Sequence, residues 1–225
     1  NDPLTQVICV YAESIKDGKK FLRVARQVVK KKPVIILKGG TTSAGAKAAL
    51  SHTASLAGSF EVFKGAMKQA GVIVAETLED LFNYAKILEK SFAPKGKKVQ
   101  IITNGGGFGI LAADYLYKMG LTIEEPTAET VKKLKKQFPS TYIVKNPIDL
   151  TGSAHAEDYE KALDACLKDK NSDMILLIIL YQTPELDTNI VDIVIRANKL
   201  KKKPLAVISM GGDFTQRYKN ILEKH

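Results

Sequence analysis

The sequence predicts an α/β protein with two doubly wound domains, each built around a parallel β-sheet. Short, fully apolar runs alternate with longer amphipathic segments along all 225 residues, and the loop-like segment SFAPKGKK at 91–98 interrupts the alternation. Apolar strands separated by amphipathic helices are typical of a parallel sheet that helices cover on both faces. Proline, glycine and charge in 91–98 mark a boundary, so we expect one domain at 1–93 and a second at 94–225.

The first domain is predicted to contain three strands and three helices. The strands are the apolar runs at 7–12, 33–38 and 72–75. Helices are predicted where apolar residues recur at helical spacing, at 17–32, 59–70 and 77–90. Ser59 is suited to cap the second of these helices, with Glu61 in its first turn.

The second domain is predicted to follow the same alternation. Strands are expected at 99–103, 174–180 and 204–209, with a weaker strand at 121–125 and a strand edge or loop at 146–152. Helices are expected at 106–120, 127–138, 156–169, 186–202 and from 213 to the end. Asp213 is predicted to be an N-cap, and His155 a surface residue in a cap region. Asn146 and Asp149 are predicted to be turn or strand-end structure, and lining a site is the alternative.

An internal echo links the two halves of the chain. KKKPVIILKGG at 30–40 is repeated as KKKPLAVISMGG at 201–212, which favours two copies of one doubly wound unit. A strand and glycine turn, VQIITNGGGFG, precede the apolar strand of the second copy, whereas the first copy starts near its apolar strand. We therefore expect the first domain to lack its N-terminal part and the chain to be a piece of a longer polypeptide. Chance similarity of two lysine-rich helix ends is the alternative.

The basic charge favours no single partner. The chain has 34 Lys and Arg against 24 Asp and Glu, a net charge of +10, and its lysine runs fall at predicted helix ends and faces. Solvated helix surface explains these runs, and so does an attraction for polyanionic small molecules such as nucleotides or coenzyme A. No aromatic residues accompany the lysine runs, so a nucleic-acid partner is not expected.

Composition also bears on the compartment. No apolar run approaches the roughly 18 residues of a membrane span, and the N-terminus has no signal-peptide pattern. Cys9 and Cys166 both lie in patterns typical of a core, so we expect two reduced thiols in a cytoplasmic protein. The many lysines and few glutamines are typical of a thermophilic source.

A glycine turn, TNGGGFGILAADYL at 103–116, joins a predicted strand to a predicted helix. The N–H groups of Gly105, Gly106 and Gly107 can approach an anion closely, and the helix N-terminus adds about half a positive charge. With Asn104, these residues are candidate phosphate ligands. The spacing matches neither the dinucleotide fingerprint nor the P-loop, and a tight turn needed only for packing is the alternative.

His52 lies in the low-bulk segment SHTASLAG at 51–58. A metal site is not favoured, because no second histidine is nearby. A hydrolase is not favoured either, because the sequence has no nucleophile elbow. A histidine that accepts a phosphoryl group needs small hydroxyls around it, which Ser51 and Thr53 supply. The phosphohistidine would carry about two negative charges, which a helix N-terminus stabilises. An ordinary loop histidine is the alternative that composition leaves open.

The segment GAKAALSHTASLAGS at 45–59 resembles the phosphohistidine segment of the ADP-forming (NDP-forming) acyl-CoA synthetases, relatives of succinyl-CoA synthetase. The likeness extends over nearly the whole chain, through YAESIKDGKKF (11–21), KKPVIILKGG (31–40), GVIVAETLEDLF (71–82), TNGGGFGILAADYL (103–116) and NPIDL (146–150). The resemblance implies two flavodoxin-like domains of the succinyl-CoA synthetase type.

The resemblance also implies a chemistry. His52 is expected to be phosphorylated transiently, Glu13 to hydrogen-bond its imidazole, and the helix after the glycine turn to point its N-terminus at the phosphohistidine. Acyl-CoA and phosphate would give acyl phosphate and coenzyme A, after which His52 would carry the phosphoryl group to ADP. Read without the family, Glu13 is a loop carboxylate, most often solvated.

The family pattern implies partners and shows two departures. A coenzyme A-binding Rossmann domain upstream and an ATP-grasp domain or subunit, which holds ATP or ADP with Mg²⁺, are expected outside this chain, in an oligomer. No metal site is expected within the chain. Ala54 stands where the family commonly has glycine, and Thr41 where it often has arginine, which puts one anion contact in doubt.

Two other classes of function remain as alternatives. A synthetase-like module that senses a ligand and regulates an attached or partner enzyme would have the same fold. A flavodoxin-like nucleotide binder of unrelated function would not explain SHTASLAG. Retention of both Glu13 and His52 favours the enzyme over the sensor.

Overall fold

The computed structural model describes residues 2–47 and 59–225. The chain divides into two compact units, Asn1–Phe92 and Ala93–His225, and each has its own predominantly parallel sheet. This confirms the predicted α/β fold class. His52, Ser51, Thr53 and Ala54 lie outside the described residues.

The first unit is built on a three-stranded parallel sheet in the order β1-β2-β3. Its strands are β1 (Ile8–Ala12), β2 (Val34–Lys38) and β3 (Ile73–Ala75). Its helices are α1 (Gly18–Val28), α2 (Phe60–Ala70) and α3 (Leu78–Lys90), and residues 43–47 form a further helical turn.

Both faces of the central strand β2 are covered. Ile36 faces α1 and α2 in one apolar cluster, whereas Ile35 packs with Leu81 of α3 in another. Ser59 caps α2 as predicted, since its Oγ accepts a hydrogen bond from the Val62 N–H at 3.5 Å. Gly71 ends α2 with a φ of +77°, a conformation that glycine adopts at little cost.

The second unit has a five-stranded sheet in the order β5-β6-β4-β7-β8, in which only β5 is antiparallel to its neighbour. Its strands are β4 (Val99–Thr103), β5 (Ile143–Val144), β6 (Ile148–Asp149), β7 (Met174–Ile178) and β8 (Leu205–Ile208). Its helices are α4 (Gly106–Lys118), α5 (Ala128–Gln137), α6 (Ala156–Cys166), α7 (Asn189–Lys199) and α8 (Asp213–Leu222). The main core lies between the sheet and helices α5 to α8, and α4 packs on the opposite face.

Several sequence expectations fail at strand edges and helix starts. The predicted strand at 121–125 is reduced to a single bridge between Thr122 and Lys98, while the two-residue strand β5 was not predicted. Asp213 is the first residue of α8, and Gly212 is its N-cap with a φ of +56°. His155 is the exposed N-cap residue of α6, as expected.

The two cysteines differ, contrary to the prediction that both are buried. Cys166 is buried, and burial raises the pKa of its thiol to about 12. Cys9 is exposed, because β1 is an edge strand and Cys9 lies on the face opposite to Ile8 and Val10, which pack against the core. An apolar run predicts a strand but does not distinguish an edge strand from a central one. Among the described residues, no helix is long and apolar enough to span a bilayer.

The repeated motif adopts the same structure in both units. Ile8 pairs with Val34 in the first unit, and Ile175 pairs with Leu205 in the second, so the proline precedes an equivalent position in each. The last lysine of each KKK run also makes an equivalent contact, since Lys32 donates to the carbonyl of Asp2 and Lys203 to the carbonyl of Asp169.

Candidate functional site

The candidate site of the first unit lies at the carboxyl ends of β1 and β2. Glu13 directly follows β1, and Gly39 and Gly40 directly follow β2. The Gly39 N–H donates to the Ala12 carbonyl at 3.0 Å, so β1 and β2 end side by side. The edge of a parallel sheet formed by the strands' carboxyl ends is where ligands usually bind in open α/β sheets.

The Glu13 carboxylate has one oxygen without a donor. Its Oε1 accepts a hydrogen bond from the Tyr11 hydroxyl at 3.5 Å. Its Oε2 is buried, and no hydrogen-bond donor among residues 2–47 and 59–225 reaches it. Burying a carboxylate oxygen without a hydrogen bond costs on the order of 1–3 kcal/mol or more. Oε2 is therefore suited to accept a hydrogen bond from a group outside those residues.

A glycine, Gly39, lies close to the side chains of Tyr11 and Glu13. A Cβ on Gly39 would lie 2.6 Å from the Tyr11 hydroxyl and 3.3 Å from Glu13 Cγ. Gly40 has a φ of +68°, which turns the chain into the helical turn at 43–47. The two glycines therefore let the segment that leads to His52 pass directly against Glu13.

A polar cavity adjoins this edge. It has a volume of about 370 Å³ and is lined by Lys38, Thr41, Phe60, Glu61, Lys64, Ala75 and Glu76. Lys64 and Glu76 form an ion pair at 2.6 Å. In the sequence, Thr41 precedes His52 and Phe60 follows it.

In the second unit, the glycine turn joins β4 to α4 as the sequence predicts. The Gly105 N–H is used within the turn, because it donates to Thr103 Oγ1 at 2.9 Å. Gly106 and Gly107 are the first two residues of α4, where main-chain N–H groups have no acceptor within the helix. These two N–H groups, rather than that of Gly105, are therefore the ones suited to an anion.

A carboxylate already lies beside this turn. A Cβ on Gly106 would collide with Asp149 Oδ2, and Asp149 Oδ1 accepts a hydrogen bond from the Thr151 N–H at 2.9 Å. A negative charge near a helix N-terminus is stabilising, by about 0.3–1 kcal/mol at exposed sites. The structure thus places Asp149 beside the candidate phosphate seat. The sequence had left two alternatives for Asp149, which were strand-end structure and lining a site.

Asn104 occupies the site differently from the expectation of a phosphate ligand. Its side chain is only 2% exposed. Its Oδ1 accepts from the Leu180 N–H at 2.9 Å, and its Nδ2 donates to the Leu180 carbonyl at 3.1 Å and to Thr183 Oγ1 at 3.0 Å. With its donors and acceptor engaged, the side chain joins the end of β4 to the end of β7 and holds the glycine turn in place.

Asn146 has a similar structural role beside β4. Its Oδ1 accepts from the Ile101 N–H at 3.0 Å, and its Nδ2 donates to the carbonyls of Val99 at 2.8 Å and Glu124 at 2.7 Å. The Asn146 side chain therefore hydrogen-bonds to the part of β4 that β6 does not pair with. This agrees with the prediction that Asn146 is turn or strand-end structure.

Sequence reasoning missed two residues near Glu13. Tyr11 lies two positions before Glu13 along β1, and this spacing places both side chains on one face of a strand. Lys38 is a charged residue at the carboxyl end of an apolar strand, which is a weaker signal. Among the described residues, no group of three or more His, Cys, Asp and Glu could hold a metal ion.

The fold and these two strand-end sites define the class of protein. Residues 99–219 match the Ligase-CoA domain, and residues 1–88 match the succinyl-CoA ligase like flavodoxin domain. The chain belongs to this ligase-CoA family, which confirms the resemblance found in the sequence.

Individual relatives agree with this assignment. The acetate–CoA ligase [ADP-forming] II subunit alpha of Pyrococcus furiosus is 39% identical over 224 residues, which are 98% of this chain and 49% of the relative. The 4-hydroxybutyrate–CoA ligase [ADP-forming] of Nitrosopumilus maritimus is 34% identical over 218 residues, which are 95% of this chain and 31% of the relative.

A solved structure shares the whole fold. The dinucleotide forming acetyl-coenzyme A synthetase 1 of Ca. Korarchaeum cryptofilum, in complex with phosphate and ADP, superposes with a TM-score of 0.90 at 34% identity. The match covers 99% of this chain and 49% of that chain. The present chain thus spans half or less of the length of these relatives.

Substitution of Asn104 tests its structural role. Asn104→Leu should lower the free energy of unfolding by about 1–3 kcal/mol, because the Leu180 N–H loses its acceptor, whereas the Thr183 hydroxyl still donates to the Leu180 carbonyl. Asn104→Asp keeps an acceptor for the Leu180 N–H but buries a carboxylate whose second oxygen faces the Leu180 carbonyl, so its loss should be at least as large. Urea denaturation of the two variants and the wild type measures the difference. Equal unfolding midpoints for wild type and Asn104→Leu would contradict this role.

Proposed function

We propose that this chain is part of an ADP-forming acyl-CoA synthetase in which His52 carries a phosphoryl group transiently and Glu13 orients the imidazole. The observation that supports this most directly is the buried Oε2 of Glu13, which has no donor among the described residues. An imidazole N–H is a suitable donor. Its hydrogen bond to a carboxylate would fix the tautomer and leave the other ring nitrogen free to attack phosphorus.

The proposed reaction has three steps. An oxygen of inorganic phosphate attacks the thioester carbonyl of acyl-CoA, and the C–S bond breaks to release coenzyme A. The free nitrogen of His52 then attacks the phosphorus of the acyl phosphate, and the carboxylic acid leaves as its anion. Finally a terminal oxygen of ADP takes the phosphoryl group from His52, giving ATP and the free imidazole.

The chain's own residues would act mainly by positioning and by neutralising charge. Glu13 would hold the imidazole, and Ser51 and Thr53 would place hydroxyls around the phosphoryl group. The N–H groups of Gly106 and Gly107 would bind phosphate oxygens at the start of α4. Asp149 beside Gly106 would disfavour the most highly charged form of phosphate there.

The remaining substrates and partners are also proposals. The two relatives are named as CoA ligases that form ADP, and the one from Pyrococcus furiosus is an alpha subunit. We propose that coenzyme A binds to a Rossmann domain and that ATP or ADP with Mg²⁺ binds to an ATP-grasp domain, both outside the present chain. The relatives' names include acetate and 4-hydroxybutyrate, and the described residues do not select between such acids.

Phosphate labelling tests the proposed nucleophile. The full-length protein, with its nucleotide-binding partner and radiolabelled Mg-ATP, should acquire a label that is labile in acid and stable in base. The label should be absent from His52→Asn and present in His155→Asn, because His155 is an exposed helix cap. A label that persists in His52→Asn would refute the proposed nucleophile. No label in a wild-type mixture shown to bind ATP would favour the ligand-sensing alternative.

Substitution of Gly39 tests the geometry beneath Glu13. Gly39→Ala should slow labelling by about 10-fold or more, because the new methyl group displaces Tyr11 and presses on Glu13. The free energy of unfolding should change by less than about 1 kcal/mol, since the exposed Tyr11 side chain can move away.

Gly65→Ala provides the control for Gly39→Ala. Among the described residues, no atom lies within 4 Å of a Cβ at Gly65 in α2, so this variant should be slightly more stable and label at the wild-type rate. The account is contradicted if Gly39→Ala and Gly65→Ala label equally fast.

A further inference from the structure

Lys38 makes hydrogen bonds at the candidate site and has no role in the reaction proposed above. It is the last residue of β2, and its side chain is half-buried. Its Nζ donates to the main-chain carbonyl of Glu13 and to that of Gly39, each at 2.6 Å. One ammonium group therefore joins the two residues that leave β1 and β2.

These carbonyls lie just beyond the sheet. The β1–β2 ladder ends at the pair Ala12 and Lys38, followed only by the hydrogen bond from the Gly39 N–H to Ala12. Glu13 is thus the first residue after β1 whose main chain is not held by pairing with β2. A charged donor can fix it, because hydrogen bonds from charged groups are stronger than those between neutral groups.

We propose that Lys38 is a positioning residue that fixes the main chain of Glu13 and, through it, the position of the Glu13 carboxylate. This proposal rests on the proposed function, since it assigns Lys38 an action through Glu13 on the His52 imidazole. Lys38 holds the Glu13 carbonyl, and Gly39 leaves room for the Glu13 side chain, since a Cβ added there would lie 3.3 Å from Glu13 Cγ. Without the ammonium, the main chain of Glu13 is free to shift and the carboxylate moves with it.

The chain contains a matched control. Lys32 precedes β2 at its opposite end, is also half-buried, and donates through Nζ to the main-chain carbonyl of Asp2. It makes the same kind of contact in the same unit, but at the amino end of the strand rather than at the candidate site. Loss of a lysine-to-carbonyl hydrogen bond in general can therefore be separated from loss of the one at Glu13.

The test measures the single-turnover rate of His52 labelling in the full-length protein with its nucleotide-binding partner. Lys38→Met should slow labelling by about 10- to 100-fold, and Lys38→Arg, which keeps donors for both carbonyls, should recover most of the rate. Lys32→Met should stay within about twofold of wild type. Thermal unfolding of each variant shows that the rates belong to folded protein.

A double variant distinguishes positioning from direct action. If Lys38 acts through the Glu13 carboxylate, Glu13→Leu, which has no acceptor, and Glu13→Leu/Lys38→Met should label equally slowly. If the two effects multiply, Lys38 contacts the phosphoryl group itself and the positioning role is wrong. Labelling of Lys38→Met at the wild-type rate overturns the Lys38 proposal alone. A wild-type protein that carries no label on His52 overturns the proposed function as well.

Discussion

Polar main-chain groups freed at the ends of parallel strands must find partners, and this requirement shapes both strand-end sites. In the first unit, Lys38 satisfies the carbonyls of Glu13 and Gly39 beyond the last ladder pair. In the second unit, Asn104 satisfies both main-chain groups of Leu180. A buried main-chain group without a partner costs on the order of 1–3 kcal/mol. The side chains that meet this demand also fix the loops that would meet the substrate.

Oε2 of the Glu13 carboxylate does not meet this requirement within the described residues. The Glu13 carbonyl accepts from Lys38 and its Oε1 accepts from Tyr11, yet Oε2 is buried without a donor among the described residues. In the second unit the corresponding edge carries Asp149 beside the glycine turn, and there the buried Tyr181 hydroxyl and Ser209 Oγ also have no hydrogen-bond partner among the described residues. We infer a division of roles between the repeated units, in which the first orients a nucleophile and the second offers main-chain N–H groups to an anion.

Much of the fold could be predicted because the hydrophobic pattern is strong. The apolar runs of β4 and β7 have a strand's length and are buried, and caps such as Ser59 are local signals. The exposure of Cys9 could not be predicted, since it depends on β1 being an edge strand. Side-chain ties to distant main chain, such as that of Asn104 to Leu180, depend on a register that local sequence does not contain. Glu13 entered only through the family resemblance, because by composition it is an ordinary loop carboxylate.

The pairing of Glu13 with His52 is the central claim, and nitrogen NMR of the His52 imidazole tests it most directly. The full-length protein would be labelled with ¹⁵N-histidine, and the His52 signals assigned by their loss in His52→Asn. A single imidazole tautomer is expected in the wild type, changing to a mixture of tautomers in Glu13→Leu, because the carboxylate fixes which nitrogen carries the proton. Identical tautomer populations in the wild type and in Glu13→Leu would contradict the pairing.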